Sequence, residues 1–111
     1  MNSIRAPFSQ DAMQAQSENA SKLLKALANL QRLRILCLSI EQEMPVGQIN
    51  EQVDLSQSAL SQHLAILREK GLVTTRKQAQ TVYYRVAEGP VTAIIQTLHD
   101  LYCPTPSSGM G

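Results

Sequence analysis

Residues 56–86, SQSALSQHLAILREKGLVTTRKQAQTVYYRV, decide the fold. Ser56 is a helix N-cap residue type, Leu60, Leu64 and Leu67 recur at the spacing of one helix face, and Gly71 suits the position that ends a helix. The opposite face carries Gln57, Ser58, Ser61 and Gln62. Beyond Gly71, LVTTRK and TVYYRV flank the polar connection QAQ; rich in β-branched and aromatic residues, they predict a two-stranded hairpin.

Upstream, Met44-Pro45 breaks the chain before a short helix, VGQINEQV, with Val46, Ile49 and Val53 inward and Asp54-Leu55 as the turn into Ser56. Earlier still, Ala20, Leu23, Leu24 and Leu27 make one apolar stripe on a helix of roughly residues 11 to 28. Asn29 caps the next helix, where Leu33, Leu36, Cys37 and Ile40 share a face, so Cys37 is expected on the buried side, away from Arg32 and Arg34. Downstream, Glu88-Gly89-Pro90 opens a last helix, with Pro90 in its first turn. Its stripe of Val91, Ile94, Ile95, Leu98, Leu101 and Tyr102 is longer than one small core needs, which leaves part of it for a partner. The polar residues 1–10 and the Pro/Ser/Gly-rich 104–111 are expected to be disordered, leaving one domain over 11–103. The fold class predicted is mainly α with a β-hairpin wing, about five helices and two strands: a winged helix-turn-helix.

A chain of 111 residues, 43% hydrophobic and 17% charged, suits one domain with one modest core. No apolar run approaches a bilayer span and the N-terminus lacks a signal-peptide core, so the expected location is cytoplasmic. Charge is unevenly distributed. Residues 56–85 hold Arg68, Lys70, Arg76, Lys77 and Arg85 against Glu69 alone, whereas the remainder holds five cations against eight carboxylates. A basic segment in an otherwise acidic small domain is the footprint expected where phosphate is met. Aromatic content of 4% without Trp argues against a stacking platform for single strands. Gly-rich phosphate loops, the His-Glu-x-x-His box, the nucleophile elbow and Cys-x-x-Cys are all missing, so neither an enzyme such as a thiol oxidoreductase nor a bound cofactor is expected.

The Gln/Ser face has two readings. It is either an ordinary solvated surface or a surface that reads base edges in the major groove of double-stranded DNA. Solvated faces favour long charged side chains, and this one has none over three turns. With the basic segment beside it, DNA readout by Ser56, Gln57, Ser58, Ser61 and Gln62 is the stronger reading. Arg76, Lys77, Gln78 and Gln80 would then form a wing along the sugar-phosphate backbone rather than a solvated turn. His63, one position past the contact face, reads as a hydrogen-bonded structural histidine sooner than as a DNA contact.

The helix and wing in residues 56–86, with LLKALANLQRLRILCLSI at 23–40, closely resemble the arsenic-repressor (ArsR/SmtB-type) family of winged-helix repressors. The resemblance covers roughly residues 15–103. It implies a homodimer joined by the first and last helices, bound to an inverted-repeat operator and released by a chemical signal. It also places Gln57, Ser58, Ser61 and Gln62 at base-contacting positions and Arg76 and Lys77 in the wing.

Two metal sites of that family have no counterpart here. Pro45, Val46 and Gly47 stand where the thiolate type has Cys-x-Cys, and the last helix offers only His99, with Asp100 adjacent, so no metal site is expected. Cys37 and Cys103 remain. One cysteine in each of those two helices resembles the persulfide-sensing (SqrR/BigR/HlyU-like) branch, which joins the pair on reaction with reactive sulfur species. Two thiols kept reduced in a cytosol, then bridged, would clamp two helices covalently. The alternatives are a general oxidant or metalloid sensor on the same fold, or a Cys37 that is simply a small core residue with Cys103 incidental.

Overall fold

The computed structural model describes residues 9–102. The chain runs α1 (Gln10–Leu27), α2 (Leu30–Glu41), β1 (Met44–Pro45), α3 (Val46–Gln52), α4 (Gln57–Glu69), β2 (Val73–Gln78), β3 (Thr81–Val86) and α5 (Pro90–Tyr102). This is the expected winged helix-turn-helix, with five helices among the described residues. The expectations for residues 1–8, for Cys103 and for 104–111 lie outside them.

Local chemistry sets the helix ends. Ser9, expected within a disordered N-terminus, accepts the Ala12 N–H at 3.0 Å and opens α1 at Gln10. Asn29 accepts the Arg32 N–H at 3.0 Å and opens α2, as its residue type foretold. Arg32 Nε donates to the Ala26 carbonyl at 2.7 Å, setting a cation on the negative end of α1 and fixing the α1–α2 corner. Gly71 closes α4 with a positive φ of 72°. Its N–H reaches the Arg68 carbonyl at 3.0 Å, and the Leu72 N–H reaches Leu67 at 2.9 Å. That pair of bonds is a Schellman ending, with Leu67 and Leu72 both buried beneath it.

Three features differ from expectation. Met44-Pro45 is not only a break, because it pairs antiparallel with β3 (Met44 opposite Tyr84, Pro45 opposite Tyr83) and makes the sheet three-stranded, ordered β1-β3-β2. Two residues are too few to show a period of two, and an edge strand tolerates Pro45's missing N–H. The hairpin is also tighter than a QAQ connection: Gln78 pairs with Thr81, leaving the two-residue turn Ala79-Gln80 with Ala79 at φ 56°. Thirdly, the buried face of α2 is rotated, so that Ile35 (0% exposed), Leu36 and Ser39 point inward while Leu33, Cys37 and Ile40 are half-buried at the core's edge. α2 is apolar around most of its circumference, so spacing alone does not fix its phase.

The core joins Ile35 and Leu36 of α2, Ile49 of α3, Leu60, Leu64 and Leu67 of α4, Val73 and Val86 of the sheet and Val91 and Ile95 of α5. It sits behind α4 and leaves the far side of that helix to solvent.

Candidate nucleic-acid interface and cysteine pocket

Because Leu60, Leu64 and Leu67 hold α4 against the core, Gln57, Ser58, Ser61 and Gln62 are all exposed on its outer side. Ser56 precedes them and is committed to structure: its Oγ accepts the Ala59 N–H at 3.1 Å and lies 3.5 Å from Ser58 Oγ. The turn from α3 is held by Asn50 Nδ2, which donates to the Leu55 carbonyl at 3.0 Å. A short helix, a pinned turn and a second helix with small neutral donors and acceptors outward can enter a major groove, since no charged side chain stands over its first turns. His63 is half-buried, and its Nδ1 is buried without a hydrogen-bond partner among the described residues.

The wing is more structured than its sequence suggests. Arg76 Nε lies 3.1 and 3.0 Å from the two Glu43 carboxylate oxygens, and its Nη2 lies 2.8 Å from Oε1. Its Nη1 donates to Gln78 Oε1 at 2.6 Å, and the guanidinium sits 4.5 Å from the centre of the Tyr83 ring. The hydrogen bond from Arg76 is the largest influence on the Glu43 carboxyl and holds it below the usual carboxylate range; burial opposes this, and the charges of Arg76 and Arg85 add to the lowering. Arg76 is held correspondingly high by the same pair. Arg76 and Gln78 are thus engaged with Glu43 and each other. Lys77, on the other face of β2, and Gln80, in the turn, are exposed, and Lys77 has no ion pair among the described residues. Glu43 and Tyr83 were not singled out from sequence, since 33 positions separate Glu43 from Arg76 and only the sheet brings them together.

Cys37 lines a cavity of about 280 Å³ with Arg34, Leu38 and Glu41 of α2, Gln52 of α3 and His99 of α5. His99 is 7% exposed, and its Nε2 lies 2.5 Å from Glu41 Oε2. Its Nδ1 is buried, has no hydrogen-bond partner among the described residues and lies 3.7 Å from Asp100 Oδ1. The Glu41–His99 pair, 58 positions apart, left no local signal in the sequence. Among the described residues no group of three His, Cys, Asp or Glu could hold a metal ion.

A helix-turn-helix with an open reading face and an antiparallel wing defines the winged-helix class of DNA-binding transcription regulators. Residues 29–75, from the cap of α2 into β2, match the model of the bacterial regulatory protein arsR family. HlyU of Vibrio cholerae, a transcriptional activator, is 52% identical over 98 residues, covering 88% of this chain and 91% of that protein. The solved structure of reduced HlyU from that organism superposes with a TM-score of 0.78 at 54% identity, covering 82% and 96% of the two chains. The transcriptional repressor BigR of Xylella fastidiosa gives a TM-score of 0.79 at 32% identity, covering 86% and 94%. The chain belongs to the ArsR family of transcription regulators, with relatives in the HlyU and BigR branch. No helix among the described residues is long and apolar enough to cross a membrane.

Proposed function

We propose that the chain is a cytoplasmic, homodimeric repressor that reads an inverted-repeat operator with α4 and the wing and lets go when reactive sulfur bridges Cys37 to Cys103. The observation that carries the DNA reading is the exposed, uncharged outer face of α4 beside a basic wing. Dimerisation is supported by apolar side chains that no described residue covers: Leu24 at 57%, Leu101 at 67% and Tyr102 at 75% exposure. A related winged helix-turn-helix domain from Mycobacterium bovis is described as homodimeric. The relatives include both an activator and repressors, and release of the operator on thiol bridging fits repression.

The sulfur reading rests on one thiol in α2, Cys37, and a second, Cys103, that follows the last described residue of α5 in sequence, with Glu41 four residues after Cys37 bonded to His99 four residues before Cys103. A solved relative in a state described as reduced fits a protein whose thiols change state. The chemistry balances with an organic persulfide as oxidant. Cys37 thiolate takes the outer sulfur of R–S–SH and releases R–S⁻; Cys103 thiolate then attacks Cys37 Sγ, forming the disulfide and releasing HS⁻.

Binding to labelled duplexes tests the DNA reading. Gln62→Ala or Ser58→Ala is expected to lower discrimination at one operator position by about 1–3 kcal/mol, while Lys77→Ala weakens binding to every sequence and reduces the salt slope by about 1. Half-sites should lie about 34 Å apart or a multiple of that. Sequence-independent binding alone would remove the operator reading.

A further inference from the structure

The Cys37 cavity holds more than a thiol. Glu41 Oε2 and His99 Nε2 are 2.5 Å apart, which fixes the imidazole ring, and the other ring nitrogen is buried without a hydrogen-bond partner among the described residues. Cys37, His99 and Glu41 line the same space of about 280 Å³, with the exposed Arg34 among the lining side chains. A thiol, an imidazole and a carboxylate that orients the imidazole are the parts by which a weak nucleophile is activated. A buried polar atom left unsatisfied costs free energy, so the Nδ1 of His99 calls for an account beyond packing.

We propose that His99, oriented by Glu41, accepts the proton of the Cys37 thiol inside this cavity, which makes the cavity the reaction pocket for a sulfane-sulfur donor. The step balances. The proton passes from Cys37 Sγ to His99, the thiolate attacks the outer sulfur of R–S–SH, and the S–S bond of the donor breaks. R–S⁻ then recovers the proton from His99 and departs as R–SH. The charged and titratable groups around the ring are Glu41, Arg34 and Cys37 on α2 and Asp100 on its own helix; α3 contributes the neutral Gln52. Arg34 is the cation among the lining residues. The inference rests on Cys37 being the sensing thiol, but its test needs neither DNA nor Cys103.

In the full chain carrying Cys103→Ser, Cys37 is the single thiol, and its alkylation by iodoacetamide is followed by mass spectrometry across roughly pH 5–10, spanning the imidazole and thiol ranges. His99→Gln is expected to slow alkylation at neutral pH about tenfold or more and to move the midpoint of the profile upward by about one unit. Glu41→Gln should shift it the same way by less, since it loosens the ring without removing it. Thermal melts report whether each variant folds. Glu41 lies at the surface, so Glu41→Gln decides the matter if His99→Gln does not fold. A profile that superimposes on the parent's in a folded His99→Gln protein, or failing that in Glu41→Gln, overturns the proposal. Should the profile shift while Cys37→Ser still releases DNA on sulfur treatment, the sensing reading fails and the proton transfer stands.

Discussion

Glu43 and Arg76 show how one residue's surroundings redirect another's role. A carboxylate that takes three close contacts from a guanidinium occupies the cation a phosphate would otherwise meet. Because Glu43 titrates below an unfolded carboxylate, its pair contributes stability at pH values above the usual carboxylate range, and that contribution is lost as pH falls through the depressed value. Glu43→Gln should therefore show a smaller loss of melting temperature between about pH 6 and pH 3 than the parent. Equal acid sensitivity in the two proteins would show that the pair does not form in solution. Lys77, read with Arg76 as a wing residue from the sequence, has no ion pair among the described residues. Residue type could not separate them, because what distinguishes Arg76 is Glu43, just before β1, and Tyr83 on β3.

Elements were legible where caps and periodicity agreed, and less so where one of them was silent. α4 carried both: Ser56 and Gly71 bound it, and its three leucines are the buried ones. α2 had its cap but no phase, since Leu33, Ile35, Leu36, Cys37, Leu38 and Ile40 supply apolar residues on nearly every side. The sheet chose Ile35 and Leu36, and Cys37 came to the edge of the core, where it meets a cavity instead of being sealed in. Ile35→Ala should cost about 2–5 kcal/mol in denaturant unfolding, as a fully buried aliphatic truncation does. The same change at Leu30, which is exposed, should cost far less. Comparable losses at the two positions would mean that α2 is turned the other way. The helical pattern did not reveal β1, and the Glu41–His99 contact is a product of tertiary packing that no spacing in the sequence encodes.

At the scale of the molecule, the apolar stripes of α1 and α5 outrun the core of one copy. Among the described residues nothing covers Leu24, Leu101 and Tyr102, which the proposed second copy would bury, and burying apolar area contributes about 25 cal/mol per Å². Leu24→Glu should shift the chain toward monomer in sedimentation equilibrium and weaken operator binding with it, because two reading helices must be held one helical turn apart. An unchanged dimer would place the interface elsewhere. The same coupling would make the proposed thiol bridge effective, since α2 precedes the reading pair and Cys103 follows α5, which belongs to the expected dimer seam. A change of about 1–3 kcal/mol in operator affinity, some 5- to 150-fold, is a typical size for such a link. The most direct measurement is operator affinity by fluorescence anisotropy before and after a sulfane-sulfur donor, beside arms with glutathione disulfide and peroxide, in the parent, Cys37→Ser and Cys103→Ser chains. The account predicts near-equal affinity for all three when reduced and release by the parent alone after the sulfur donor. Release by either single mutant would contradict it.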